Sequence, residues 1–265
     1  QVKKDFPHVD ITRFFKWGAL DGDFSGQGIC LNGFMNYSGL DGSYIATLEK
    51  QQAREANIDG VLPSGLLSLG LLNLSNPAAY FAALDNYRYT VGQKENIFRR
   101  KQQFVKMFGK GREEELRDLL QGEFAVVDLA YNEATRERDG LIVASLSLCK
   151  VVLEKMMKEY ACFDNQSSEN YLKEYNLDRE KTFRYYLFPA DDLAAVYWGY
   201  IFEGIKCRCV LVEDNYLIFA SSESAVKSFV RDYVHGSVIR DAEWYRHLKT
   251  RLAGKYNMAY FARTA

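Results

Sequence analysis

Three histidines, His8, His235 and His247, are the whole supply of imidazole in the 265 residues. None is paired with a second histidine or a cysteine at the spacing that holds zinc. Asp21, Asp23 and Ser25 alternate and are followed by Gly26, as in the opening of an EF-hand calcium loop. The twelfth position of such a loop would be Asn32, where a bidentate glutamate is needed. Ile29 to Gly33 also has the pattern of a strand, so a glycine-rich hairpin turn is expected here. Gly109-Lys110-Gly111-Arg112 lacks the spacing and the Lys-Ser/Thr ending of a phosphate-binding loop, and it follows a helical pattern rather than a strand. No Gly-x-Ser-x-Gly elbow occurs, and Ser64-Gly65 reads as a turn. The adjacent acids Asp191 and Asp192 read as helix caps, where the dipole favours a negative charge. No catalytic, cofactor-binding or metal-ligating residue is nominated from this set, and the chain is expected not to be an enzyme.

Composition narrows the partners. Thirty-four basic residues stand against 35 acidic ones, a formal net charge of -1. A nucleic-acid binder would show a basic excess or stripe, so no nucleic-acid partner is expected. The basic run from Arg99 to Lys110 meets Glu113-Glu114-Glu115 at once and reads as a solvated helical face. No apolar stretch reaches the roughly 20 residues that cross a bilayer as a helix. Five cysteines, an odd number without framework spacing, exclude a disulfide scaffold. Cys30 falls in a strand pattern, and Cys149 and Cys162 in or near a helical one. Cys207 and Cys209, two apart on one strand, are expected on the same inward face with Ile205 and Leu211, and unbridged.

The elements that would position these residues follow from hydrophobic period. Leu66 to Asn73 reads as a buried strand, then Asn76-Pro77 starts a helix carrying Tyr80, Phe81, Leu84 and Tyr87 inward. A second strand at Leu141 runs into a helix through Leu153, Met156 and Met157. A third, Tyr216 to Ala220, is followed by the Ser221-Ser222 cap and a helix with Val226, Phe229 and Val230 inward, ended by Gly236. Hairpins, Glu123–Tyr131 with Leu141 and Ile205–Leu211 with Tyr216, precede the second and third helices. The equal spacing of the strand starts at Leu66, Leu141 and Tyr216 suggests repeated hairpin–helix units. The fold class is therefore α+β, an antiparallel sheet with helices on one face. The chain reads as one domain, with any division into subdomains 1–110 and 111–265 near Gly109–Gly111.

The order Trp17-Gly-Ala-Leu-Asp21, Leu31-Asn-Gly33, Asp59-Gly-Val-Leu-Pro63, Asn76-Pro77, Gly122-Glu123 and Tyr216 to Ser222 resembles a family of uncharacterised bacterial exported proteins. Members carry a domain of unknown function, often behind a membrane anchor or signal peptide and sometimes followed by a β-propeller. The resemblance implies an extracytoplasmic, envelope-associated domain, here a fragment of a longer protein, and supplies no catalytic residues. The expected function is that of a non-enzymatic interaction or structural domain with a protein or envelope partner. Two alternatives stay open: a small-molecule or glycan-binding module using Trp17, Trp198 or Trp244 as stacking platforms, and a hydrolase whose residues converge only in three dimensions.

Overall fold

Two runs, Phe124 to Leu129 and Leu141 to Leu146, are apolar at nearly every position rather than at every second one. A strand with that composition has both faces to bury. The computed structural model of the protein describes residues 17–25, 28–36, 42–147, 150–179, 181–250 and 253–262. In it these runs lie in β4 (Leu120–Asn132) and β5 (Glu137–Leu146), neighbouring strands inside an eight-stranded antiparallel sheet. The other strands are β3 (Ser68–Asn73), β6 (Leu172–Asn176), β7 (Thr182–Leu187), β8 (Cys209–Glu213), β9 (Tyr216–Ala220) and β10 (Met258–Ala262), in the order β10-β3-β4-β5-β9-β8-β7-β6. β1 (Trp17–Ser25) and β2 (Gly28–Asn36) form a separate two-stranded hairpin. The antiparallel α+β architecture is as expected.

The coverage of the sheet differs from expectation, because helices lie on both faces. Phe124, Val126, Ile142, Ala144, Leu217 and Phe219 point to one face. There they meet α1 (Pro77–Thr90), α2 (Lys94–Phe108), α3 (Arg112–Leu119), α4 (Lys150–Phe163) and α5 (Leu193–Trp198). Their neighbours Ala125, Val127, Leu141, Val143, Ile218 and Ala220 point to the other face and meet α6 (Glu223–Val234) and α7 (Glu243–Lys249). The unbroken apolar runs of β4 and β5 were the signal for this.

The proposed repeat does not survive as three equivalent units. Each unit is a strand followed by a helix, but α1 and α4 cover the first face and α6 the second. β9 also lies beside β5 and antiparallel to it. Strand parity explains the switch: Leu146, the last residue of β5, belongs to the first face, whereas Ala220, the last of β9, belongs to the second. The sheet takes β3 from before Gly109–Gly111 and β4 to β10 from after it.

Cys207 and Cys209 are also corrected. Both are free and buried, but Cys207 sits in the first core with Ile205, and Cys209 in the second with Leu211. Regular pairing begins only at Cys209, opposite Ala220, and the Arg208 N–H donates to that same Ala220 carbonyl at 3.0 Å. Two residues thus face one, a bulge that breaks the alternation assumed from sequence.

Local chemistry fixes the helix starts. The Asn76 side chain accepts from the Ala79 N–H at 3.0 Å ahead of Pro77, and Ser222 accepts from the Ala225 N–H at 3.1 Å. Gly122, at φ 90°, bends β4 where a Cβ would lie 2.3 Å from the Leu74 carbonyl oxygen. That approach is closed to any residue with a side chain.

Leu84, Met156 and Phe229 are buried, whereas Lys158 is exposed. Truncation of each of the three to alanine should cost on the order of 2–5 kcal/mol. Lys158→Ala should stay within about 0.5 kcal/mol. Gly122→Ala should be at least as damaging as the core truncations. Denaturant melts check the series, and a Lys158→Ala loss equal to the core losses would overturn the assigned face of α4.

Candidate functional site

α2 places Phe104 and Phe108 four residues apart on its buried side, the spacing that stacks side chains on one helical face. Gly109 (φ 83°) ends the helix and Gly111 (φ 85°) precedes α3, so the chain turns sharply around Lys110. α3 therefore crosses beside α2 without filling the space between them. A cleft of about 350 Å3 remains, floored by Phe104, Phe108, Leu116, Met156, Tyr197 and Trp198. A volume near the lower end of the usual range for small-ligand pockets, with apolar walls, suits one compact apolar group.

The floor is an aromatic lattice. The Phe104 and Tyr197 rings lie 5.5 Å apart, Phe108 stacks on Phe188 at 5.3 Å, and Trp198 meets Phe124 at 5.4 Å and Phe219 at 5.7 Å. Phe98 stands at the rim, 61% exposed. The charged rim is largely paired: Lys101 and Arg117 share Glu113 at 3.1 and 3.4 Å, and Arg112 holds Glu159 at 2.7 Å. Lys110 makes no ion pair with another described residue. Burial pushes the Tyr197 hydroxyl above its ordinary pKa, helped by Glu113 and Glu114, so it stays protonated at neutral pH. The Trp198 indole N–H is buried and finds no acceptor among the described residues.

Elsewhere the buried acids are bound into the structure. Asp59 holds Arg240 at 2.9 Å and Lys249 at 2.8 Å. Glu123 accepts from the backbone N–H groups of Asn57 and Ile58 at 3.0 and 2.9 Å and meets Arg54 at 3.3 Å. Asp139 accepts from Ser222 at 2.6 Å, Ser224 at 2.7 Å and Asn132 at 3.0 Å, beside the start of α6. The Tyr80 hydroxyl bonds Tyr44 and donates to the Trp198 carbonyl at 2.8 Å. Burial raises both phenols. The Cys207 and Cys209 thiols are likewise pushed up to about 12 by burial. A thiol or phenol held neutral is a poor nucleophile.

The residues singled out in the sequence do not converge. Asp21 and Asp23 lie in β1 opposite Asn32 and Cys30, so they belong to a hairpin strand rather than a calcium loop. Its two turn residues, 26–27, lie outside the described residues, as do His8 and Cys149. His235 caps the C-terminus of α6, and His247 is exposed on α7. Asp192 occupies the N-cap position of α5 without a side-chain cap bond and pairs with Arg100 instead. Among the described residues no three or more His, Cys, Asp or Glu side chains gather where they could hold a metal ion. Trp198 is a core residue and Trp244 is half-buried against the second core, so neither is an open stacking platform. The Trp17 side chain lies outside the described residues. The cleft itself was missed in the sequence. Its signal was the Phe98, Phe104 and Phe108 series of α2 together with Tyr197-Trp198.

Comparison with protein-family models, with curated proteins and with solved structures gives no match to this chain. Among the described residues, no helix is long and apolar enough to cross a membrane.

Two outcomes follow from the buried thiols. At pH 8 an exposed-thiol reagent should label Cys162 in the native protein and leave Cys207 and Cys209 unlabelled until denaturant is added, as read by peptide mass mapping. The thiol pKa values rise from 9.0 to about 12 on folding. Their contribution to stability is therefore complete below pH 9 and is lost as the pH climbs towards 12. Denaturant melts should show stability falling above pH 9. A flat or rising profile would contradict the burial of these groups.

Proposed function

We propose that this chain is a non-enzymatic binding domain that captures an apolar group in the cleft between α2, α3 and α5. The observation that carries the reading is the cleft's aromatic lining, in a molecule whose buried acids Asp59, Glu123 and Asp139 are each held by structural partners. An exposed Phe98 at the lip of an apolar recess is the anatomy of a recognition site, where aromatic area supplies affinity. The rim pairs Lys101 and Arg117 with Glu113 and Arg112 with Glu159. The sequence resemblance supports placing the domain in a bacterial envelope, where its partner would be another envelope component. Compartment fractionation of the native protein tests that placement.

Nile red, a neutral apolar probe, should bind saturably to the folded protein at one site. Phe98→Ser should weaken that binding about fivefold or more, as loss of an aromatic contact does. Its melting midpoint should be unchanged, because Phe98 is exposed. Wild-type affinity in Phe98→Ser would place the probe elsewhere and overturn the cleft as the binding site.

A further inference from the structure

The cleft lining holds side-chain donors that lack a partner among the described residues. The Trp198 indole N–H is buried and has no acceptor among the described residues, and a buried donor in that state carries its full desolvation penalty. Tyr197, beside it in the floor, makes no hydrogen bond through its hydroxyl to another described residue. Lys101 lies over the Tyr197 ring at 5.4 Å, and Lys110 stands at the mouth without an ion pair to another described residue. The lining counts four cations, Lys101, Lys110, Arg112 and Arg117, against two carboxylates, Glu113 and Glu114. One of those carboxylates, Glu113, is already shared by Lys101 and Arg117. A neutral hydrocarbon would fill the apolar floor and leave these donors unanswered. A cation would meet the unpaired Lys110, the other three cations being ion-paired already.

Taking the cleft as the binding site, we infer that its occupant is a small monocarboxylic acid with an apolar body. The body lies on Phe104, Phe108 and Met156, and the carboxylate accepts from the donors at the Tyr197–Trp198 side and from Lys110. The small void beneath the floor, bordered by Leu116, Met156 and Phe219, gives Met156 room to adjust to the length of that body, as an unbranched thioether side chain can. Charge-assisted hydrogen bonds from a partly desolvated site are stronger than neutral ones, which is the source of the discrimination between an acid and its uncharged analogue.

The test uses three probes of equal chain length, decanoate, decanol and decylamine, added to the 15N-labelled protein below their micelle concentrations. The three tryptophans give three indole N–H resonances, and Trp198→Phe assigns the relevant one by its disappearance. Decanoate should shift the Trp198 resonance saturably and bind about tenfold tighter than decanol, with decylamine weaker still. Lys110→Glu should lower decanoate affinity about threefold or more while leaving the melting midpoint unchanged. Decanol or decylamine binding as tightly as decanoate would overturn the acid and leave the cleft reading standing. Decanoate binding that leaves the Trp198 resonance unmoved would also overturn it. Failure of all three probes, together with Nile red, would overturn both.

Discussion

The structure depends on one constraint: β4 and β5 are apolar on both faces, so the sheet that contains them must be covered twice. Residues 124–127 of β4 and 141–144 of β5 alternate between the two cores without a polar break. A sheet of that kind cannot leave a face to water, as many antiparallel sheets do. The distribution of helices follows. Among the described residues, five helices pack on the face that collects most of the large aromatics, and two on the face that holds Phe229, Tyr245 and Phe261.

Covering both faces creates a second demand at the strand ends, where backbone and acidic groups become enclosed. The protein meets it with local polar clusters rather than with water alone. Glu123 answers two N–H groups of the segment that enters the second core, and Asp59 in that segment is held by Arg240 and Lys249. Asp139 gathers the serines that start α6. Removing one member of such a cluster strands a buried charge, which is why these acids read as ties in the fold rather than as reagents. The raised pKa values of Cys207, Cys209 and the core tyrosines belong to the same picture, since burial selects their neutral forms.

The cleft is the place where coverage stops short. α2 ends at Gly109 and α3 begins after Gly111, and the reversal between them leaves Phe104, Phe108 and Tyr197 with space on one side. Elsewhere on this face aromatic rings meet other rings, as Phe108 does with Phe188 and Trp198 with Phe219. An unfilled recess over an otherwise closely packed aromatic layer is a feature the core does not require, and it is the surface on which binding is most readily built.

The sequence by itself determined the elements and many of their inward faces. Asn76-Pro77 and Ser221-Ser222 announce their helices because capping is a contact between near neighbours. The spacings of Leu84, Met156 and Phe229 pick out buried faces because the helical period is local. The hairpin at Asp21–Asn32 was legible for the same reason. Only the tertiary structure decided which side of the sheet each helix covers, since that depends on where a strand stops in its two-residue alternation. It also decided that a bulge at Arg208–Cys209 sends Cys207 and Cys209 into different cores, and that Asp59 meets Arg240 and Lys249 across most of the chain. The cleft belongs to this second class. Phe98, Phe104, Leu116 and Tyr197 come from three helices, and the volume between them is set by how α2, α3 and α5 cross, which no local pattern in the chain encodes.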